Sequence, residues 1–222
     1  MILWKASFVK GDAKYLQCCI AVLLTLCATA STSSADSKTD SFIDQYAQIT
    51  ISGESERRRG QLLGELLEEA VSYRELNPSN AEAWIATARI RFGVANTQGV
   101  LRGPRTMTQS HDDVESALAL DENVLGGFGK AFLGYLYAVL PGWPVGVGDV
   151  DKAEELLGQV VGDDEPNIAY NYFYAMYLIR LQRFEDAYKR LLMAKNSNTV
   201  LPDSPAIRSL YQNEVEKLLV SV

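Results

Sequence analysis

Apolar positions recur three and four residues apart over most of the chain, the spacing that gathers side chains on one face of an α-helix. Leu62, Leu63, Leu66, Leu67, Ala70 and Tyr73 form the first such stripe, and Asn77-Pro78-Ser79-Asn80 ends it. Asn80 is placed to cap a second helix carrying Ala81, Trp84, Ile85, Ala88 and Phe92. From Gly93 to Gln109 the pattern lapses, and Gly99, Gly103 and Pro104 within it predict a long break. A third helix follows at about Ser110 to Leu120, with Val114, Ala117 and Leu118 on its apolar face. A fourth, about Val124 to Leu140, presents Phe128, Phe132, Leu133, Leu136 and Tyr137. Its glycines, Gly126, Gly127, Gly129 and Gly134, weaken local propensity and mark either close helix contact or a kink.

The loop from Pro141 to Asp149, with two prolines and three glycines, cannot continue a regular helix. Asp149 or Asp151 can cap a fifth helix bearing Ala153, Leu156, Leu157 and Val160. Pro166 suits the first turn of a sixth, which runs to about Leu181. A seventh spans Phe184 to about Lys195, and an eighth about Ser204 to Val220. With no alternating stretch to suggest a sheet, these helices and mostly short loops leave a bundle or a helical solenoid.

Paired helices repeating at about 34 residues characterise the tetratricopeptide repeat. The unit from Ile168 resembles it most, with Tyr174, Ala175 and Leu178 on one helix and Ala187, Leu191 and Ala194 on the next. A second unit starts at Leu125 and a third at Ala81, each with a longer join between its helices than the repeat uses. The expected fold is therefore all-α: a tetratricopeptide-like helical-hairpin solenoid of about three irregular repeats, with flanking helices closing its ends.

The amino-terminal segment reads differently. Lys5, Lys10 and Lys14 precede an apolar run from Ile20 to Leu26, and Ala28-Thr29-Ala30 fits the small-residue pattern of signal cleavage. Residues 1–30 are expected to be a signal peptide, with cleavage after residue 35 as the alternative, 31–41 a polar spacer, and 42–222 one helical domain. The apolar stretch is shorter than the roughly 20 residues of a spanning helix. Export to the periplasm, or otherwise out of the cytoplasm, follows; attachment by a lipid or a retained signal is the alternative. Cys27 is a poor lipidation site because Leu26 is bulky where a small residue is expected. Cys18, Cys19 and Cys27 all lie in the leader, so the mature chain would hold no thiol.

Composition narrows the chemistry. The formal charge of −7 argues against nucleic acid, since no basic surface compensates it; Arg57-Arg58-Arg59 has Glu54 and Glu56 beside it. Loss of residues 1–30 removes three lysines and one aspartate and takes −7 to −9. His111 is the only histidine, which excludes a multi-imidazole metal site. Gly126-Gly127-Phe128-Gly129-Lys130 lacks the spacing of a phosphate loop. No catalytic residue, metal or cofactor is expected.

About Asn77 to Leu219 also resembles a bacterial periplasmic tetratricopeptide family related to the T component of tripartite solute transporters. The resemblance is carried by Pro141-Gly142-Trp143-Pro144, Gly148-Asp149 ahead of Lys152-Ala153, Asn171-Tyr172-Phe173-Tyr174, Tyr177-Leu178, Phe184, Asp186-Ala187 and Leu191-Leu192. It implies association with a periplasmic solute-binding protein and carriage of a small apolar ligand. The repeat further implies an inner wall formed by Ile85, Arg89 and Phe92, by Leu133, Leu136 and Tyr137, and by Tyr172, Met176, Ile179 and Arg180. Such a wall can receive a protein or peptide partner, enclose an apolar ligand, or be covered by the chain's own C-terminal helix. A non-catalytic binding or scaffold protein acting in protein–protein interaction is the leading expectation. An apolar-ligand carrier or transport accessory is the alternative.

Overall fold

The computed structural model describes residues 38–142, 144–162, 167–200 and 203–222. The expected signal segment with its cysteines and most of the spacer, together with Trp143 and Pro166, lie outside the described residues. The chain divides into two compact units, Met1–Lys38 and Thr39–Val222, and the second carries the fold discussed below.

Every element of any length among the described residues is helical. Helix α1 runs through residues 38–51, so residues 38–41 are helix rather than spacer. It is followed by α2 (Glu56–Leu76), α3 (Ala81–Thr97), α4 (Gly99–Leu120), α5 (Phe128–Val139), α6 (Val150–Gly162), α7 (Ile168–Arg180), α8 (Phe184–Lys195) and α9 (Pro205–Ser221). Side chains satisfy the free amides at several starts: Ser55 caps α2, Asn80 caps α3, Asn167 accepts from two amides of α7, and Ser204 caps α9. The Asp149 carboxylate accepts from the amides of Asp151 and Lys152 and caps α6.

Two expectations change. The break foreseen between Gly93 and Gln109 is helix: α3 continues to Thr97, Gln98 alone intervenes, and α4 starts at Gly99, whose φ of 69° reverses the chain. Pro104 sits inside α4, but the carbonyl it leaves without a donor belongs to Val100, in a first turn open to water. Antiparallel packing on α3 holds the rest, through Ser110 Oγ donating to the Ala88 carbonyl at 2.7 Å. Asp113 of α4 also takes Arg74 of α2 and Arg91 of α3, each at 2.7 Å. Tertiary contact outweighs weak local propensity here.

The fourth expected helix is likewise split. Val124–Gly127 forms a 3-10 turn with Leu125, Gly126 and Gly127 all at positive φ, and α5 begins only at Phe128. The glycines thus do both things the sequence allowed. Gly126 and Gly127 turn the chain, whereas a Cβ on Gly134 would stand 2.8 Å from Leu157 Cγ, so that glycine lets α5 and α6 touch.

Consecutive helices pack in antiparallel hairpins, and α5 also packs on α7 and α7 on α9, giving an all-α, helical-repeat-like fold. Side chains extend the α5–α7–α9 row to α3: Phe92 meets Phe132 at 5.8 Å and Tyr135 at 5.5 Å between ring centres. Ala175, Leu178, Ala187, Leu191 and Ala194 are all buried where α7 and α8 pack.

Candidate functional site

Helices α3, α5, α7 and α9 line up one large ring after another. Phe92, Phe132, Phe173 and Tyr211 lie at successive steps of roughly one hairpin. Their ring centres are 5.8 Å apart (Phe92–Phe132), 5.9 Å (Phe132–Phe173) and 5.7 Å (Phe173–Tyr211). Tyr135 and Tyr172 thicken this wall, with Tyr135 stacked on Phe173 at 4.8 Å and Tyr172 tilted against Tyr211 at 5.7 Å. Edge-to-face and offset geometries at these distances are favourable beyond the area they bury.

The wall is one side of a pocket of about 330 Å3. Tyr46 and Thr50 of α1, Arg59 and Leu63 of α2, Asn96 and Thr97 of α3, and Leu210, Glu214 and Lys217 of α9 also line it. Arg89 is its buried end, 3% exposed. Lys217 and Glu214, paired at 2.7 Å and both reaching solvent, mark its rim together with half-buried Arg59.

Arg89 is held by rings. Its guanidinium carbon stands 5.2 Å from the Tyr46 ring centre, 4.8 Å from Phe128 and 5.6 Å from Tyr211, and Nη2 donates to the Tyr211 hydroxyl at 3.3 Å. Nη1 is buried without a hydrogen-bond partner. Burial raises the pKa of Tyr46, Tyr135, Tyr172 and Tyr211, so each lines the pocket as a neutral hydroxyl able to donate or accept. The Glu214 charge adds to the rise at Tyr46, Tyr135 and Tyr172.

No protein-family model and no curated protein matches the chain.

Of the ten residues expected on an inner wall, Arg89, Phe92 and Tyr172 line this pocket. Ile85 and Leu136 are fully buried in the core, Leu133 is also buried, Met176 and Ile179 are half-buried away from the pocket, and Arg180 is exposed. Tyr137 is turned toward α4, where its ring meets His111 at 4.9 Å and its hydroxyl donates to Glu115 at 3.3 Å. From α5 the pocket takes Phe132 and Tyr135 instead. Counting a wall from Leu125 assumes helix from that residue, but the left-handed turn through Gly127 makes Phe128 the true start and rotates the face presented to α3 and α7. The C-terminal helix against the wall was one of the expected alternatives, whereas the contribution of α1 was not foreseen. Phe42, Ile43, Tyr46, Ala47 and Ile49 have helical spacing, and that signal was available in the sequence.

His111 is buried, with Nδ1 at 3.3 Å from Asp112 and Nε2 at 3.7 Å from Glu115. Potential ligand atoms of these three residues lie within 4.8 Å of one another. All three come from one helix, and both carboxylates are exposed.

Proposed function

We propose that this protein is a tetratricopeptide-like binding protein that encloses a small organic molecule in the pocket walled by α1, α2, α3, α5, α7 and α9. One observation carries the reading. Helices α1 and α9 stand against the ring wall, and what remains between them is a partly open pocket of about 330 Å3, the size of a small organic molecule. Its volume lies near the lower end of the roughly 300–1,000 Å3 of small-molecule sites, and its lining combines the ring wall with about as much polar surface. The apolar-ligand reading therefore stands ahead of a protein partner docked along the wall.

Binding without catalysis is part of the proposal. Burial keeps the pocket's tyrosines protonated and the Glu214 carboxylate pairs with Lys217 at the rim, which supports a binding role. The leader-like pattern of residues 1–30 supports work outside the cytoplasm, and a solute-binding protein is the partner that the transporter-component resemblance suggests. Among the described residues no helix is long and apolar enough to cross a membrane.

Titration with N-phenylnaphthylamine, a neutral apolar fluorophore, tests the pocket. Saturable one-to-one fluorescence enhancement is expected, with Kd rising about tenfold or more in Tyr172→Ala. Linear, unsaturable enhancement that ignores this substitution would remove the pocket as the site.

A further inference from the structure

The chemistry of the ligand is written in the charge balance around Arg89. Arginine cannot shed its proton in a protein, so a buried guanidinium stays charged and needs a counter-charge or a full set of acceptors. Arg89 has one hydroxyl acceptor at 3.3 Å and a buried Nη1 with none. Among the described residues it forms no ion pair. Acidic groups are not scarce: the chain has 28 against 21 basic residues. Asp113, by contrast, is supplied with two arginines at 2.7 Å. The carboxylate that does line the pocket, Glu214, is committed to Lys217 at the rim. Three aromatic faces offset part of the burial cost without neutralising the charge.

We infer that the pocket recognises a small organic carboxylate, with Arg89 as its anion-binding group and the ring wall as the seat of an aromatic or aliphatic body. The guanidinium fork matches a carboxylate geometrically, and such a bond is charge-assisted. The neighbouring tyrosine hydroxyls can donate to the remaining lone pairs. A single negative charge is favoured, since one guanidinium is unpaired and Glu214 faces the tyrosines from the rim. At the opening Lys217 is balanced by Glu214, which leaves Arg59 as the net positive charge that favours anions there.

This rests on the pocket being the binding site, and the test separates the two. Calorimetric titrations compare 3-phenylpropionate with its neutral isostere 3-phenylpropanamide, N-phenylnaphthylamine being run alongside. The acid should bind on the order of tenfold or more tighter than the amide, and Arg89→Met, checked for its helical circular dichroism, should abolish the difference. Wild-type protein also gives an answer if that variant does not fold. The carboxyl pKa of bound, carboxyl-13C-labelled 3-phenylpropionate should lie below its free value, because the guanidinium favours the anion. Equal affinity for acid and amide, or a bound carboxyl pKa unchanged or raised, overturns the anion assignment. So does failure of the acid to bind while the fluorophore does, and in each case the pocket stands. Failure of all three probes removes the pocket reading as well.

Discussion

Arg89→Met should leave the unliganded protein equally stable or more stable, although it deletes a buried side chain of α3. Transferring a guanidinium from water to a site this closed costs several kcal/mol even after relaxation, and the unpartnered Nη1 adds about 1–3 kcal/mol. Against this stand three ring contacts at 4.8–5.6 Å, worth about 1 kcal/mol each. The long hydrogen bond to Tyr211 at 3.3 Å adds about 1 kcal/mol. Methionine keeps much of the length, is unbranched, and packs well on aromatic rings. The balance is a gain of about 0–3 kcal/mol, within the range found when buried charges give way to apolar residues of similar volume. Urea unfolding followed by far-ultraviolet circular dichroism should show a midpoint unchanged or raised with the slope unaltered. A loss exceeding about 2 kcal/mol would refute the reasoning: the guanidinium would then be a staple joining α1, α3 and α9, its ring contacts exceeding its desolvation.

Asp113→Ala should act in the opposite direction. It strands Arg74 and Arg91, whose side chains are 13% and 15% exposed, and should cost about 3–5 kcal/mol in the same urea experiment. Buried tyrosines set the alkaline limit. The Tyr170 pKa is pushed from 10.0 to about 12 by burial, so the folded state favours the neutral phenol. Its contribution is intact below pH 10 and is lost as pH rises toward 12. Tyrosinate absorbance should therefore appear together with loss of helix over that window; ionisation of Tyr170 well before the helical signal falls would contradict it.

The helices were legible because their stripes and caps are local properties. Asn80 and Ser204, read as helix-start residues, cap where the spacing placed them. The run from Gly93 to Gln109 misled for the opposite reason: its glycines and proline disfavour helix locally, while Ser110 and Asp113 supply distant partners that no window of sequence contains. The pocket was legible in part. Arg89, Phe92 and Tyr172 follow from the repeat register, but a turn of three left-handed residues ahead of Phe128 shifts the face of α5 in a way spacing alone does not encode. That Arg89 lacks a counter-ion is a statement about what does not surround it in space, and no motif could carry it.

The site draws its lining from Tyr46 near one end of the folded region and from Glu214 and Lys217 near the other. A chamber whose first and last walls are the first and last of the described helices exists only while both are seated. Vacating it needs no hinged cover, since fraying of either end opens it. Conversely, a bound molecule clasps the two ends at once: at a hundred times its Kd it would add about 2.7 kcal/mol to the stability of the whole array, far from any residue it touches.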